Sequence, residues 1–152
     1  MENTKMRAVV TRVTEASVKI DGEVRGSIGQ GFLVLLGVAP NDTEVEMKKL
    51  ADKVCGCRVF EDENGKMNLN LETVGGELLI ISQFTLFADL KSRRPGFSYA
   101  AKPDIAIPLY EKFIEECRSK GFKVQTGEFG AYMEVASVND GPVTLLFDTD
   151  TL

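Results

Sequence analysis

The sequence predicts one mixed α/β domain with a mostly antiparallel sheet and two main helices, and three observations support this prediction. The chain has 152 residues, of which 43% are hydrophobic, so it can form one domain with a substantial core. Segments that alternate apolar and polar residues outnumber segments with helical periodicity. Several predicted strands are joined by turns too short to contain a crossover helix, which favours antiparallel neighbours.

The N-terminal part of the chain is predicted to form three strands and a helix. Residues 6–38 alternate around the turn pair Asp21-Gly22, as expected for a hairpin and a third strand. Thr43 and Glu46 have the spacing of a capping box. Apolar residues then recur every three or four positions, which predicts an amphipathic helix: Met47, Leu50, Ala51 and Val54.

The middle of the chain is predicted to contain a short strand, a long strand and a long loop. The short strand lies around residues 58–60, and the following segment 62–65 is interpreted as a turn because it lacks the ligand spacing of a calcium loop. Residues 77–87 are predicted to form one strong strand. The polar segment 88–103 is then a loop of a length that is usually either functional or disordered, and its aromatic residues favour a function.

The C-terminal part is predicted to form the second helix and three strands. One helical face is apolar, and Gly121 follows it at the position of a C-terminal capping glycine; the apolar residues are Ala106, Leu109, Tyr110, Phe113, Ile114 and Cys117. Strands are expected at 123–127, 131–138 and 143–149. No internal repeat or linker indicates a second domain.

Composition excludes several classes of function. The chain contains no histidine, which removes Ser-His-Asp, Cys-His and histidine-ligated metal mechanisms, and no metal or other cofactor is expected. It has no phosphate-binding GxxxxGK[ST] motif. The net charge of −5 argues against a general nucleic-acid coat but permits a small basic patch that docks one RNA end.

Hydropathy and cysteine content predict a soluble cytoplasmic protein. The longest apolar run, Phe32 to Ala39, is much shorter than the ~20 residues of a membrane helix, and the N-terminus lacks the apolar region of a signal peptide. The odd number of cysteines, Cys55, Cys57 and Cys117, is interpreted as a set of reduced structural thiols, with redox sensing as the less favoured reading.

The first candidate site follows the apolar run that ends at Ile81. Ser82, Gln83 and Thr85 supply hydroxyl and amide groups, which beside strand-end amides could bind an acyl carbonyl or stabilise its oxyanion. The alternative is a strand end whose polar side chains have ordinary partners. Strand alternation would place Gln83 and Thr85 on one face, and Ser82 and Phe84 on the other.

The second candidate site is the segment "NDGPVT" at residues 139–144. It is either an ordinary hairpin turn between two strands or a turn with a cis Gly141-Pro142 bond, which would direct two adjacent carbonyl oxygens the same way. Arg12 interrupts an apolar strand, so its guanidinium either anchors the carbonyls of a neighbouring turn or faces water.

A third candidate is the loop "KSRRPGF", which combines basic and aromatic residues. Lys91, Arg93 and Arg94 precede Phe97 and Tyr99, a mixture suited to phosphate contacts and base stacking. Charged loops that are simply solvated are commoner.

With these residues described, the chain closely resembles the D-aminoacyl-tRNA deacylase family from Met6 to about Thr149. "SQFTL" at 82–86 and "NDGPVT" at 139–144 carry the resemblance, in the family's order. The resemblance implies a homodimer with a barrel-like sheet, active sites at the subunit interface, and hydrolysis of the ester that joins a D-amino acid, or glycine, to tRNA. Residues 1–5 fall outside the resemblance and are predicted to be an N-terminal extension or an expression remnant; 6–152 form the domain.

The resemblance also implies roles for individual residues. Ser82, Gln83 and Thr85 would surround the scissile carbonyl. Gly141 and Pro142 would form a cis pair that enters the partner's pocket, where their carbonyls hold the substrate ammonium and exclude an L side chain. Further matched positions are Arg12, which braces the Gly-Pro turn, and the pocket residues Phe84, Phe129 and Met133.

Two catalytic routes follow from the resemblance. Thr85 could be a nucleophile, or water could attack with help from the ribose 2′-hydroxyl of the terminal adenosine. We favour the second route because the local motif contains no base to activate a threonine. A rival prediction is a non-catalytic nucleic-acid-binding homodimer that uses the loop 91–94. A small-molecule esterase is a weaker alternative because the chain lacks a triad.

Overall fold

The computed structural model describes residues 5–152 as a curled six-stranded sheet with two helices. The elements are β1 (Arg7–Ile20), β2 (Glu23–Ile28), β3 (Gly31–Gly37), α1 (Glu44–Gly56), β4 (Phe60–Glu61), β5 (Met67–Leu69), β6 (Glu77–Ser82), a 3₁₀ turn (Phe84–Phe87), α2 (Pro103–Ser119), β7 (Val124–Thr126) and β8 (Glu134–Asp148). β4 and β5 form a separate small hairpin around the predicted turn. The predicted mixed α/β class with two main helices is confirmed.

The main sheet is mixed and nearly closed. β1 pairs antiparallel with β2, β3 and β8, whereas β3, β6 and β7 run parallel to one another. Gly26 of β2 lies against β7: a Cβ atom at this glycine would stand 3.1 Å from the carbonyl oxygen of Thr126. Because β2 and β7 are the two ends of the strand order, this contact shows that the sheet curls into a barrel-like form.

On β3 and β6, apolar side chains of alternate parity belong to two separate clusters, which lie on opposite faces of these strands. The helices cover one face, where Phe113 and Leu50 are fully buried against Ile80 of β6. The second cluster contains Leu79, Ile81 and Val13 and involves no helix. The C-terminal end of β6 therefore has packed side chains on both faces, which fixes the position of the segment that follows it.

The start of β1 is fixed by a buried carboxylate. Asp42 accepts hydrogen bonds from the backbone N–H of Met6 (3.0 Å) and of Ala39 (2.7 Å). Burial raises the pKa of Asp42 to about 6, although the two N–H groups act in the opposite direction. Residues 1–4 of the predicted extension lie outside the described residues. Within 5–152, no helix has the length and apolar character needed to cross a membrane.

Two sequence predictions about elements are wrong. The strand predicted over 77–87 ends at Ser82, and the chain then forms the 3₁₀ turn. The segment 139–144 is not a hairpin turn between two strands, because both of its flanks belong to β8 and pair with β1. In each case the decisive contacts come from a strand distant in sequence.

Candidate active site

The 3₁₀ turn begins where β6 leaves the sheet. Ser82 pairs with Leu36 of β3, and the Gln83 N–H donates to the Leu36 carbonyl at 2.7 Å. Gly37 makes room for the turn, because a Cβ atom there would lie 2.9 Å from Cε2 of Phe87 and 3.2 Å from the Gln83 carbonyl oxygen. Residues beyond 83 follow helical rather than strand geometry, so strand alternation does not set their orientation, although the Gln83 and Thr85 side chains do lie together as predicted.

Polar groups of the turn face the surface. Ser82 and Gln83 are half-buried and Thr85 is exposed. The Gln83 side-chain amide donates a hydrogen bond to the Thr85 hydroxyl oxygen. A hydroxyl has one proton to donate, so this contact leaves the Thr85 proton available to a group outside the turn. The first N–H groups of a helical turn also lack acceptors within it, which adds the amides of Phe84 and Thr85 to this face.

Apolar side chains border these polar groups. Phe84 is 54% exposed and meets Phe97 of the following loop edge to face, with 5.1 Å between ring centroids. The loop is closed by a bridge in which Asp89 and Gly96 exchange two backbone hydrogen bonds, at 2.7 and 3.0 Å. The aromatic rings of Phe84 and Phe97 therefore form an apolar surface beside Thr85.

Phe129 and Met133 flank the end of β6 from opposite faces. Phe129 packs on the helical side, 6.2 Å from the ring of Tyr110, whose hydroxyl donates to the Ile80 carbonyl. Met133 packs with the second cluster, and Gly127 leaves space for its sulfur beside Ile81. Both residues are close to the residues that precede Ser82, but they do not share one cavity wall.

A basic loop projects beyond the bridge. Lys91, Arg93 and Arg94 are exposed, and none of them pairs with a carboxylate among residues 5–152. Between this loop and the turn is an open cavity of about 430 Å³ whose lining includes Lys91 and Tyr99. The loop thus presents uncompensated positive charge next to the turn, on a chain that is acidic as a whole.

The second sequence motif forms a bulge in β8. Thr144 pairs with Thr11 and Asn139 with Val13, so the single residue Arg12 faces the four residues 140–143. The Asn139 side chain closes the bulge: its oxygen accepts from the Val143 N–H at 2.9 Å, and its amide donates to the Thr144 hydroxyl at 3.1 Å.

Arg12 connects the bulge to the small hairpin. Its side chain is 5% exposed; Nε donates to the Asp140 carbonyl at 3.0 Å, and NH1 donates to the Val59 carbonyl. NH2 lies 3.6 Å from the Glu61 carboxylate. A buried guanidinium with this many acceptors holds its partners in one arrangement.

Gly141 and Pro142 are at the outer part of the bulge, and the bond between them is cis. Gly141 has a φ of +134°, and a Cβ atom on it would lie 2.8 Å from Cγ2 of Val143 and 3.1 Å from NH2 of Arg12. Both the backbone conformation and the surrounding atoms therefore require glycine at this position.

Strand register separates the bulge from the 3₁₀ turn within one chain. Arg12, which faces the bulge, pairs with Phe32, while Ser82 pairs with Leu36 on the opposite side of β3. Four residues of a strand span roughly 13 Å, and the width of the intervening strands adds to this distance. The two candidate motifs consequently form separate surfaces of one subunit.

Sequence reasoning did not identify three residues that shape these surfaces. Gly37 permits the turn, Asn139 closes the bulge, and Glu61 pairs with Arg12. Only Asn139 carried a signal, because it belongs to the turn-forming segment. The other two act through contacts between segments far apart in sequence.

Comparisons with known proteins cover nearly the whole chain. A sequence model of the family described as D-Tyr-tRNA(Tyr) deacylase matches residues 9–148. The D-aminoacyl-tRNA deacylase of Thermosipho africanus is 55% identical over 145 residues, with 95% of this chain and 97% of that protein covered. The D-aminoacyl-tRNA deacylase of Shewanella baltica is 58% identical over 140 residues, with coverage of 91% and 97%.

Two solved structures are similar to the fold. One is described as the c-Myc DNA Unwinding Element Binding Protein and is 41% identical, with a TM-score of 0.88 and coverage of 93% of this chain and 97% of that chain. The other is described as a probable eukaryotic D-amino acid tRNA deacylase; it is 17% identical, with a TM-score of 0.81 and coverage of 94% and 98%. The second likeness concerns the fold alone.

Proposed function

Because the chain belongs to the D-aminoacyl-tRNA deacylase family, we propose that the 3₁₀ turn binds the scissile ester and that the β8 bulge of a partner subunit selects its chirality. The activity itself is that of the family: the chain is a hydrolase that cleaves the ester bond of D-aminoacyl-tRNA and releases tRNA and a D-amino acid. We propose that residues 6–152 form the single domain of each subunit.

The turn offers hydrogen-bond donors to the ester carbonyl. The Thr85 hydroxyl accepts from Gln83, so its own proton can be donated to the ester, and the Phe84 and Thr85 amides lie at the start of the turn. Donors fixed in this way stabilise the negative charge that develops on the carbonyl oxygen during attack, and removal of one such donor typically lowers kcat by ~10²–10³-fold. Ser82 and Gln83 make further polar contacts with the substrate, and Phe84 makes an apolar contact with it.

The bulge is suited to exclude L-aminoacyl substrates. Its outermost groups are backbone atoms of Gly141 and Pro142. The residues on either side of this pair are fixed by hydrogen bonds to the side chains of Arg12 and Asn139. Carbonyl oxygens in this setting bind the substrate ammonium, and an L side chain collides with the same backbone, whereas a D side chain or the hydrogen of glycine does not. Because this filter consists of backbone atoms, its shape does not depend on side-chain rotamers. It therefore distinguishes D from L substrates by the position of the substrate side chain alone.

The distance between the two motifs is the main support for a homodimer. The register separates the bulge from the turn of its own chain, which supports our proposal that the bulge touching the substrate belongs to a second subunit. Exposed apolar residues along β8 and just before it are available to such an interface: Tyr132, Val135, Val138 and Leu146. A C₂ dimer would then contain two equivalent composite sites. Phe129 and Met133 support the end of β6 from its two faces and so help to fix the turn that follows it.

The attacking group is water assisted by the terminal ribose 2′-hydroxyl, with Thr85 as a donor rather than a nucleophile. Gln83 is the one side chain that hydrogen-bonds Thr85 within residues 5–152, and an amide cannot take up the hydroxyl proton as a general base. The 3′ end of the tRNA carries the needed 2′-hydroxyl, and the loop Lys91 to Arg94 contacts its phosphates.

A comparison of two changes tests this mechanism. We expect D-tyrosyl-tRNA that ends in 2′-deoxyadenosine to be stable in the presence of the enzyme, whereas Thr85→Ala retains measurable turnover, reduced by about 10²-fold through loss of one donor. Single-turnover release of labelled D-tyrosine gives both rates, with L-tyrosyl-tRNA and glycyl-tRNA as substrates for comparison. Normal cleavage of the deoxy substrate together with an inactive Thr85→Ala variant would refute the assisted route.

Nucleic-acid binding without catalysis is the rival hypothesis, and the activity of the family argues against it. It is favoured by the exposed basic loop and by the likeness to a protein described as binding a DNA element. This candidate predicts salt-sensitive binding of uncharged DNA and no cleavage of any aminoacyl-tRNA. Cleavage of D-tyrosyl-tRNA in the presence of EDTA would decide against it.

A further inference from the structure

The contact between the two helices contains a pair of thiols that the proposed reaction does not use. Cys55, near the end of α1, and Cys117, near the end of α2, place their sulfur atoms 3.7 Å apart. Cys117 is completely buried and Cys55 is 6% exposed. Both thiols are reduced, and 62 residues separate them in sequence.

We propose that Cys55 and Cys117 are an oxidation site at which a peroxide forms a reversible disulfide between α1 and α2. The two sulfurs have to approach by about 1.7 Å to reach the ~2.05 Å length of an S–S bond. They already face each other in the helix contact, so the bond needs no rearrangement of the sheet or of the 3₁₀ turn.

The reaction proceeds in two balanced steps. The Cys55 thiolate attacks one oxygen of hydrogen peroxide, the O–O bond breaks, and Cys55 becomes a sulfenic acid as hydroxide leaves and is protonated to water. The Cys117 sulfur then attacks the Cys55 sulfur, and the sulfenic hydroxyl takes up the Cys117 thiol proton and leaves as a second water. One peroxide is reduced and two thiols are oxidised.

The surroundings indicate which cysteine reacts first. The contact with the Cys117 side chain lowers the pKa of Cys55, and the positive charge of Lys120 acts in the same direction, whereas burial opposes both. The pKa of Cys117 is raised by the same contact and by burial. Cys55 is also the more exposed of the two, so it is the attacking thiolate and Cys117 is the resolving thiol.

The third cysteine provides an internal comparison. Cys57 lies at the C-terminal cap of α1, is more exposed than either member of the pair, and burial raises the pKa of its thiol. If exposure alone controlled oxidation, Cys57 would react first. If a nearby resolving thiol controls it, the Cys55–Cys117 pair reacts first and Cys57 stays reduced.

Peroxide treatment of the full-length folded protein tests the proposal. After oxidation, the sample is unfolded, its free thiols are alkylated with N-ethylmaleimide, and the products are analysed by intact-protein and peptide mass spectrometry. We expect a loss of two hydrogen atoms, one alkyl group at Cys57, and a linked Cys55–Cys117 peptide that dithiothreitol converts back to two thiols. The oxidised protein should also unfold at a higher urea concentration, because the bond closes a long loop.

Cysteine variants distinguish specific oxidation of the Cys55–Cys117 pair from unspecific oxidation of single thiols. Cys57→Ser is expected to form the same linked peptide at the same rate, whereas Cys117→Ser should carry sulfenic acid at Cys55, detectable with dimedone, and no disulfide. Sulfinic or sulfonic acid at separate cysteines of the wild-type protein, a disulfide that includes Cys57, or three alkylated thiols after peroxide would each overturn the proposal. The wild-type result decides even if Cys117→Ser fails to fold.

Discussion

At the scale of single residues, the buried guanidinium of Arg12 has the most consequences. It is nearly inaccessible to water, and its donors reach Asp140 in the bulge and Val59 in the chain segment just before β4. An uncharged side chain of similar length would leave both carbonyls without these donors and Glu61 without its ion pair. Arg12 therefore affects both stability and the position of the bulge.

Replacement of Arg12 tests this dual role. We expect Arg12→Met to lower the free energy of unfolding by about 1–3 kcal/mol through unsatisfied buried acceptors, and to lower the preference for D over L substrates. Arg25→Met is the matched control, because Arg25 lies on β2 and its ion pair with Glu23 is exposed and long, at 3.9 Å. Urea unfolding measures the change in stability, and paired assays with D- and L-tyrosyl-tRNA measure the change in selectivity. Unchanged selectivity in Arg12→Met would show that Arg12 does not contribute to the proposed chirality filter.

At the scale of elements, the position of the 3₁₀ turn depends on a glycine in another strand. Gly37 of β3 faces the turn. A Cβ atom on this residue would lie against Phe87, Leu86 and the Gln83 carbonyl. A methyl group at this point has to displace the turn, including backbone atoms, and displacements of about 1 Å in a reactive centre can lower rates 10²-fold.

Substitution of Gly37 is expected to affect both catalysis and folding. Gly37→Ala should lower kcat/KM for D-tyrosyl-tRNA by about 10- to 100-fold and the free energy of unfolding by about 1–3 kcal/mol. Gly56→Ala is the control, since a Cβ atom at Gly56 meets nothing within 4 Å and the site is helical. Wild-type kcat/KM in Gly37→Ala would show that the turn tolerates displacement.

The elements that could be predicted from the sequence are those specified by local signals. The hairpin around Asp21-Gly22 and the helix capped by Thr43 and Glu46 follow from residues within a few positions of one another, and both predictions are confirmed. The end of β6 could not be predicted, because "FTLF" has the apolar content of a strand and the space for a turn comes from Gly37. The bulge in β8 depends in the same way on Arg12 and on pairing with β1, more than 120 residues earlier.

At the scale of the whole molecule, the proposed composite site predicts how mixed dimers behave. Gln83→Glu replaces a donor with a negative charge beside the developing oxyanion, and Gly141→Ala places a Cβ atom against Val143 and Arg12. Each variant alone is expected to be inactive. A purified dimer with one subunit of each kind has one site with a wild-type turn and a wild-type bulge, so it should regain about half of the wild-type rate.

The alternative arrangement gives a different result in the same experiment. If the turn and bulge of one chain served the same site, both sites of the mixed dimer would carry a defect and no activity would return. Dimers with two different affinity tags can be isolated after co-expression. Matched samples of Gln83→Glu alone and Gly141→Ala alone control for residual activity.

The pairing of β1 with β8 also has a consequence for synthesis on the ribosome. Arg7 and Asp148 form a 3.0 Å ion pair across 141 residues, so one edge of the first strand is completed only by the last one. At elongation rates of ~5–20 residues per second, the nascent chain carries this open edge for roughly 7–28 s. An open strand edge is a template for pairing with other chains, so premature termination before β8 would yield polypeptides prone to aggregation.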